Sequence, residues 1–237
     1  MKTVGVIGGM GPAATVEFQQ RLLAATPATR DQDHLRVLVD NNPTLPNRND
    51  AIAGAGPSPA PMLAAMARGL EAAGADFLVM PCNTAHAFEG EIRRAVTIPF
   101  LSLIGETADT AAAQALGGSV GVLAADGCRK AGLYERALAE RALDAVTLDE
   151  AEQARLMAVI YAVKAGDTGD QVRAEARDLA RALEARGARV LISGCTELAL
   201  VLAEGDIDVP LIDSTDVLVA RTLAFATGQT TLPKDSA

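Results

Sequence analysis

An internal duplication constrains this 237-residue chain more than any other feature of its sequence. Val-Gly-Val-Ile at residues 4–7 recurs 116 positions later as Val-Gly-Val-Leu at residues 120–123. Ile-Pro-Phe-Leu-Ser at residues 98–102 recurs 111 positions later as Val-Pro-Leu-Ile-Asp at residues 209–213. Between these landmarks, an apolar run ends in a cysteine once in each half, at Cys82 and Cys195. Three landmarks in one order predict two related halves, and a pseudo-two-fold axis would bring the two cysteines face to face across a cleft.

The spacing of the apolar segments predicts the fold class. Short apolar runs alternate with Ala-rich amphipathic stretches, a pattern typical of parallel sheets with crossover helices. We expect an α/β protein of two pseudo-symmetric domains, each with a central, mostly parallel sheet flanked by helices, and a functional site in the cleft between them. The predicted halves are residues 1–104 with 213–237, and residues 105–212. Strands are expected at residues 3–8, 36–41, 77–82, 100–103, 119–125, 145–148, 189–194 and 210–213.

Local signals predict several helix ends and loops. Pro12 follows a Gly-Gly-Met-Gly turn and suits the first turn of a helix. Asp149 is a candidate N-cap of a helix that runs toward Lys164. Residues 53–61, rich in Gly, Pro, Ala and Ser, predict a mobile loop, and residues 232–237 a frayed tail. Because ligands of parallel sheets bind outside the carboxyl ends of the strands, we expect the site where the two cysteines lie.

Charge and composition exclude several classes of function. The net charge is −9 and the isoelectric point about 4.8, with no cluster of Lys and Arg, which argues against a nucleic-acid partner or an anionic membrane surface. No apolar run reaches the length of a membrane span and no signal-peptide pattern is present, so a cytoplasmic protein is expected. Three cysteines do not make a disulfide framework, and two histidines without metal-ligand spacing predict no metal site.

Two opposed thiols are suited to moving a proton from one face of a carbon atom to the other. One thiolate removes the proton, and the opposite thiol delivers a proton to the other face, so a chiral centre is inverted without a cofactor. A helix N-terminus after each strand is expected to lower the thiol pKa, and its N–H groups also bind a carboxylate. The residues after the two cysteines are of the types found at such helix starts: Asn83, Thr84, Thr196 and Glu197.

The same segments resemble those of a known family. Residues 8–12 (Gly-Gly-Met-Gly-Pro), 80–86 (Met-Pro-Cys-Asn-Thr-Ala-His) and 194–198 (Gly-Cys-Thr-Glu-Leu) resemble the signatures of the pyridoxal-phosphate-independent aspartate/glutamate racemase superfamily, and most of all its aspartate racemases. The resemblance covers nearly the whole chain. It implies an active site between two α/β domains, an amino-acid substrate, no cofactor and a homodimer. By this resemblance, Cys82 and Cys195 are the catalytic pair, and Met10 lies with the residues after the two cysteines in the substrate site.

Two basic residues indicate the substrate class. Residues 42–48, which end in Arg48, resemble the loop that carries the arginine for the side-chain carboxylate in aspartate racemases, and residues 160–166 resemble the segment that carries its lysine partner, here Lys164. A guanidinium binds a carboxylate through two parallel hydrogen bonds, and a lysine adds a point charge. We therefore predict interconversion of L- and D-aspartate. Glutamate or a broader range of amino acids stays open, because one methylene provides only about 1–3 kcal/mol of discrimination.

Other interpretations remain open at this stage. Residues 9–14 satisfy the loose dinucleotide-binding pattern, with Asp40 as the ribose acid of an oxidoreductase, although 31 positions separate Gly9 from Asp40 and about 20 is usual. A non-enzymatic two-lobed protein that binds small acids would leave the cysteines as packing residues. Hydantoin racemases, arylmalonate decarboxylases and maleate isomerases also use the superfamily's fold, which does not decide function.

The candidate residues also have structural interpretations. In the structural interpretation, Arg48 and Lys164 are solvated surface charges, as is usual for both residue types. Glu197 would then cap its helix and not contact a substrate. We expect His86 to form hydrogen bonds within the protein, although a metal pair with Cys82 is conceivable, and Cys128 to be structural.

Overall fold

The computed structural model describes residues 1–231. The chain divides into two compact units, Met1–Glu106 together with the segment from Thr215 onward, and Thr107–Ser214. Each unit has a parallel sheet flanked by helices, which confirms the predicted α/β fold class. In the described part of the chain, none of the helices has the length and apolar character needed to cross a lipid bilayer. The predicted frayed tail, residues 232–237, lies outside the described residues.

Seven strands and ten helices follow one another along residues 1–231. The strands are β1 (Val4–Gly8), β2 (Val37–Asn41), β3 (Phe77–Val79), β4 (Ser119–Ala124), β5 (Ala145–Val146), β6 (Ala188–Gly194) and β7 (Leu211–Asp213). The helices are α1 (Pro12–Ala25), α2 (Arg48–Ala53), α3 (Ala60–Ala72), α4 (Glu89–Ala95), α5 (Leu103–Ala115), α6 (Asp126–Lys130), α7 (Leu133–Ala139), α8 (Glu150–Lys164), α9 (Asp170–Ala185) and α10 (Ser214–Ala226). The first sheet has the strand order β2-β1-β3 and the second β5-β4-β6-β7.

The structure confirms two helix starts that the sequence predicts from neighbouring residues. Pro12 occupies the first turn of α1, where a missing N–H costs nothing. Asp149 caps α8 in a reciprocal arrangement: its carboxylate accepts a hydrogen bond from the N–H of Glu152 at 2.9 Å, and the Glu152 carboxylate accepts one from the N–H of Asp149 at 2.9 Å. The two bonds supply partners for backbone N–H groups that a helix start leaves unpaired, so a local sequence signal determines where α8 begins.

Three sequence-based boundaries are wrong. Strand β3 ends at Val79, three residues before Cys82, since Pro81 has no N–H to continue a ladder. The strand expected at residues 100–103 is a single bridge between Leu78 and Phe100, and α5 begins at Leu103. The loop expected at residues 53–61 is confined to residues 54–59, because α2 runs through Ala53 and a proline in the first turn lets α3 begin at Ala60.

The two units repeat the same packing around one strand glycine. A Cβ atom on Gly5 of β1 would lie 2.7 Å from Leu78 Cδ2, and a Cβ atom on Gly121 of β4 would lie 2.2 Å from Leu191 Cδ2. The two leucines are separated by 113 positions, the same separation as Cys82 and Cys195. The contacts therefore support the duplication that the sequence predicts.

A half-exposed carboxylate beside the sheet is repeated in the same way. Glu71 accepts hydrogen bonds from the backbone N–H groups of Thr97 at 2.8 Å and Ile98 at 3.2 Å. Glu184 accepts them from Asp208 at 2.7 Å and Val209 at 2.9 Å. These bonds lower the pKa of Glu71, the side-chain bond from Thr97 most of all. In each unit the carboxylate thus binds the backbone of the segment that precedes the outermost pairing of the sheet, at Phe100 in the first unit and at β7 in the second.

Replacing Gly121 with alanine is expected to lower the free energy of unfolding by about 1–3 kcal/mol, because the added Cβ would overlap Leu191 and a packed core must shift to admit it. Gly69→Ala in α3 is the matched control, since nothing lies within 4 Å of its Cβ position and alanine is favoured inside a helix by about 0.5–1 kcal/mol. Urea unfolding of both variants measures the difference. A Gly121→Ala protein as stable as the Gly69→Ala protein would contradict this account of the packing.

Candidate functional site

The segment that holds Cys82 is buried in the hydrophobic core of the first unit. The Cys82 side chain is 9% exposed and belongs to the same apolar cluster as Met10 and Leu45. Its backbone N–H donates to the carbonyl of Met80 at 2.8 Å. Of the two residues that follow, Asn83 is buried, and Thr84 is half-buried and begins a short 3₁₀ helix, Thr84–Phe88.

His86 holds this segment in place as a neutral imidazole. The N–H of Leu103 donates to Nε2 at 3.0 Å, so Nε2 is an acceptor and the ring proton lies on Nδ1. That Nδ1–H donates to the carbonyl of Cys82 at 2.8 Å. Burial lowers the pKa of His86 and so favours the neutral ring. The expectation of a hydrogen-bonding histidine is therefore confirmed.

The glycine turn before α1 is shaped by contact with the protein's own backbone. Gly9 has φ +96°, and a Cβ atom there would lie 2.3 Å from the carbonyl carbon of Asn42. Its N–H donates to the Thr15 hydroxyl at 2.9 Å. These contacts explain why position 9 needs glycine. Met10, the next residue of the turn, is buried. The dinucleotide-binding interpretation of residues 9–14 is not required to account for the glycines.

Arg48 is anchored at one nitrogen, and its other edge is available. Its Nη1 donates to the carbonyls of Pro46 at 2.9 Å and Leu45 at 3.3 Å. Asn47, whose side chain accepts from the N–H of Asn49 at 2.9 Å, caps α2 and so fixes the position of Arg48 at its start. Within residues 1–231, Nε and Nη2 have no hydrogen-bond partner. These two parallel donors match the spacing of the oxygens of a carboxylate.

Cys195 directly follows the last residue of β6. A Cβ atom on Gly194 would lie 2.8 Å from Cε2 of the fully buried Tyr134, so the strand end needs glycine to pack on this ring. Cys195 itself is half-buried and packs against the apolar core of the second unit. The Tyr134 ring therefore fixes the position of Gly194, the residue directly before the thiol.

Glu197 links three polar side chains of the second unit. One carboxylate oxygen accepts hydrogen bonds from the Cys195 thiol at 2.9 Å and from the Thr196 hydroxyl at 3.1 Å. The other oxygen accepts one from the ammonium of Lys164, at the end of α8, in an ion pair. The Glu197 side chain is 12% exposed and that of Lys164 is 40% exposed. The four residues that the sequence assigned in this half of the site therefore form one hydrogen-bonded cluster.

The electrostatics of the cluster keep Cys195 protonated at rest. Burial raises the pKa of the Cys195 thiol well above its ordinary value, and the neighbouring Glu197 carboxylate raises it further. Burial also opposes ionisation of Glu197, but Lys164 and the thiol hydrogen bond outweigh this effect and lower the pKa of Glu197. Near neutral pH the pair is thus a protonated thiol beside an ionised carboxylate, so the thiol is able to donate a proton.

The expected lowering of the thiol pKa by a helix N-terminus is wrong for Cys195. The elements after the cysteines are 3₁₀ helices of five residues, Thr84–Phe88, and three residues, Leu198–Leu200. Such short elements align few peptide dipoles, and burial and Glu197 decide the outcome. The contact between Cys195 and Glu197 was missed in the sequence, although the Cys-Thr-Glu spacing places the carboxylate only two residues from the thiol.

The remaining residues of interest lie apart from this chemistry. Cys128 is 1% exposed within the second unit, in agreement with a structural residue. Among the side chains of residues 1–231, no three His, Cys, Asp or Glu are grouped so as to hold a metal ion. Met10, Arg48, Cys82, Asn83 and Thr84 belong to the first unit, and Lys164, Cys195, Thr196 and Glu197 to the second.

Comparison with known proteins gives a consistent picture. The model of the Asp/Glu/hydantoin racemase family matches residues 7–222. The aspartate racemase of Picrophilus torridus is 32% identical, with a TM-score of 0.83 over 96% of this chain and 95% of that one. The broad specificity amino-acid racemase RacX of Bacillus subtilis is 26% identical over 230 residues, which are 93% of this chain and 96% of the relative. The glutamate racemase RacE1 of Bacillus anthracis, 20% identical with a TM-score of 0.70 over 96% of this chain and 82% of that one, shares the fold.

Glu197→Gln is expected to shift the pH dependence of the alkylation rate of Cys195 to lower pH. Only the thiolate reacts, and the Glu197 carboxylate raises the thiol pKa. Lys164→Met is expected to shift this pH dependence to higher pH, since Lys164 lowers the same pKa. The measurement is the rate of reaction with iodoacetamide against pH, in a protein that carries Cys82→Ser and Cys128→Ser so that Cys195 is its only thiol.

Glu204→Gln, which removes an exposed carboxylate of the same unit, is the matched control for Glu197→Gln and should leave the profile unchanged. Identical profiles for the parent, Glu197→Gln and Lys164→Met proteins would show that the cluster does not control the thiol.

Proposed function

The chain belongs to the Asp/Glu/hydantoin racemase family and is an amino-acid racemase, and from this premise we propose that it interconverts L- and D-aspartate by proton transfer at Cα between Cys82 and Cys195. The observation that carries the proposal is the hydrogen bond from the Cys195 thiol to the Glu197 carboxylate. It supplies a thiol that is protonated at rest and can donate a proton to the substrate. A racemase that works without a cofactor needs an acid at one face of the substrate and a base at the opposite face.

The proposed reaction conserves its protons. In one direction the thiolate of Cys82 removes the proton from Cα, and the thiol of Cys195 donates a proton to the opposite face, so that Cys82 ends as the thiol and Cys195 as the thiolate. The other direction is the reverse of this step: the thiolate of Cys195 removes the proton from Cα, and the thiol of Cys82 donates a proton to the opposite face. The proposal requires the two thiols to reach opposite faces of one Cα atom.

Packing and hydrogen bonds fix the two segments that carry the cysteines, as the proposed proton transfers require. The neutral His86 fixes the carbonyl of Cys82, and the fully buried Tyr134 supports the residue before Cys195. Proton transfer depends steeply on the distance between donor and acceptor, so groups locked by packing and hydrogen bonds act better than mobile ones. In this proposal His86 and Tyr134 position the thiols and do not touch the substrate.

A dicarboxylic substrate follows from the charges. The Nε–Nη2 edge of Arg48 offers a carboxylate two parallel donors, and the anchor at Nη1 reduces the entropy lost when the carboxylate binds. The Lys164 ammonium has three donors, so it can contact a substrate carboxylate while it remains paired with Glu197. Met10, Asn83, Thr84 and Thr196 complete the proposed substrate-binding set.

A racemase of broader specificity is the second candidate. The similarity to the broad specificity enzyme of Bacillus subtilis favours it, whereas the similarity to the aspartate racemase of Picrophilus torridus favours aspartate. Glutamate differs from aspartate by a single methylene and is a further candidate substrate. Incubation of the purified protein with aspartate, glutamate and alanine, followed by chiral chromatography, distinguishes these candidates by their initial rates.

Cys82→Ala and Cys195→Ala are each expected to abolish racemisation, because removal and delivery of the proton are both obligatory. In deuterium oxide each variant should still exchange the Cα hydrogen of one aspartate enantiomer, and the two variants should act on opposite enantiomers, since the remaining thiol works on one face only. Chiral chromatography and mass spectrometry measure the two outcomes. Cys128→Ala, which removes a buried thiol outside the site, is the control that should racemise aspartate. Racemisation at the parent rate by the Cys195→Ala protein would refute the two-thiol mechanism.

Arg48→Leu is expected to lower kcat/KM for aspartate by about 2–4 kcal/mol of transition-state stabilisation, because the side-chain carboxylate loses a charge-assisted partner. The effect on alanine should be small, so the ratio of kcat/KM for aspartate over alanine should fall at least about tenfold. Arg94→Leu, which removes an exposed arginine of α4, is the control and should leave the ratio unchanged.

Because Arg48 also binds the carbonyls of Leu45 and Pro46, a purely structural role has a different signature. An equal fall for both substrates, together with a lower midpoint of urea unfolding, would show that Arg48 holds the loop and does not select the substrate.

A further inference from the structure

The chain that leaves β4 carries an exposed acid at the same end of the second sheet as Cys195. Ala124, the last residue of β4, lies opposite Gly194 of β6 in the parallel register, and neighbouring strands are about 4.8 Å apart. Asp126 comes two residues after Ala124, and Cys195 directly follows Gly194. The two segments therefore leave the sheet side by side, and Asp126 is exposed there.

A buried glutamine holds the carboxylate of Asp126 in one orientation. Gln153 of α8 is 8% exposed, and its Nε2 donates to Asp126 Oδ1 at 2.8 Å and to the carbonyl of Ala124 at 3.0 Å. The backbone N–H of Asp126 donates to the sulfur of Met157 at 3.4 Å. Because α8 fixes both the backbone and the side chain of Asp126, little side-chain entropy is lost when a ligand binds to the second carboxylate oxygen.

The same helix also orients the carboxylate that follows β6. Gln153 and Met157 are four positions apart, and Lys164 is seven positions further on, a spacing that places all three on one face of α8. Gln153, near the start of the helix, binds Asp126, and Lys164, its last residue, binds Glu197. One helix face therefore sets the positions of the two acidic side chains that follow β4 and β6.

The two carboxylates differ in the oxygen atoms that they leave available. Both oxygens of Glu197 accept hydrogen bonds from protein side chains, those of Cys195, Thr196 and Lys164. Within residues 1–231, Oδ2 of Asp126 accepts none. An ammonium group has three donors and no acceptor, so a site for an amino acid needs an acceptor besides the basic residues that bind carboxylates. Asp126 is the member of this pair that has an oxygen to offer.

The internal duplication supplies an independent argument. Strand β1 ends at Gly8 and strand β4 ends at Ala124, 116 positions later. The same offset relates Met10 to Asp126, so each lies two residues beyond the end of the central strand of its sheet. Met10 belongs to the proposed substrate-binding set. Its equivalent in the second unit occupies the matching place at a sheet end, with a charged side chain in place of an apolar one.

We propose that Asp126 binds the α-ammonium group of the amino-acid substrate through Oδ2, and that Gln153 positions it. This inference rests on the proposed racemase function and deepens it, because it assigns the partner of the ammonium group that every amino-acid substrate carries. It makes Asp126 a specificity determinant: the site selects acids with a free α-amino group over the same acids without one. Aspartate and succinate are a matched pair of ligands for this test, since they differ only in that group.

Isothermal titration calorimetry with racemic aspartate and with succinate measures the selection, and turnover leaves the composition of a racemic mixture unchanged. Asp126→Asn removes the charge but keeps an oxygen that accepts from Gln153. It should raise the dissociation constant of aspartate at least about tenfold, because the ammonium group loses a charge-assisted partner. The constant of succinate should stay within about threefold of the parent value or fall, since a dianion loses a like-charged neighbour.

Asp144→Asn is the matched control. Asp144 is an exposed aspartate of the same unit, but it directly precedes β5 and so lies at the amino end of the parallel sheet. Both dissociation constants should match those of the parent. An Asp126→Asn protein that binds aspartate as tightly as the parent would overturn the proposal. So would an equal loss of affinity for aspartate and succinate, which is the signature of a structural role.

The same proteins separate this inference from the function on which it rests. Aspartate that binds with the expected dependence on Asp126 but is not racemised would support the ammonium site and refute the proposed activity. Racemisation by Asp126→Asn with the kcat/KM of the parent would refute the ammonium site alone. A parent protein that binds no aspartate would overturn both.

Discussion

The ion pair between Lys164 and Glu197 is the interaction on which the chemistry of the second unit depends. A carboxylate with little exposure would bind a proton more readily than in water, but the ammonium beside it keeps it charged. The charged Glu197 then accepts the hydrogen bond of the Cys195 thiol and raises its pKa. Removing Lys164 therefore changes the proton affinity of both Glu197 and Cys195.

The duplicated units hold their cysteines by different means. In the first unit Cys82 lies in an apolar cluster, and a neutral histidine fixes its carbonyl. In the second unit Cys195 is hydrogen-bonded to a charged carboxylate. The scaffold has kept the same glycine contact, at Gly5 and Gly121, so the framework is repeated while the electrostatics differ. An enzyme that must bind two mirror-image substrates has no need for identical acids and bases, because the protein around the two faces is itself asymmetric.

The contrast extends to the edges of the two sheets. β2 is a five-residue strand, and β5 is a two-residue strand. The duplicated framework therefore keeps its central strands, β1 and β4, at five and six residues, while the edge strands differ in length.

The sequence by itself determined the features that arise from neighbours along the chain. The α/β class follows from the spacing of apolar runs, the start of α1 from Pro12, and the start of α8 from Asp149 and Glu152, because propensity and capping act over a few residues. The family follows from short motifs around the two cysteines. The assignment of Arg48 and of the other site residues to substrate binding stays a prediction.

Tertiary structure decided what depends on residues far apart in sequence. Lys164 pairs with Glu197 across 33 positions, and His86 takes its tautomer from the N–H of Leu103, 17 positions away. The pKa of Cys195 rises because burial and a carboxylate outweigh a short 3₁₀ turn, a balance of desolvation and charge that no local pattern contains. Proton affinity is set by the whole surroundings of a group, so the sequence could name the thiol but only the fold could show in which state it rests.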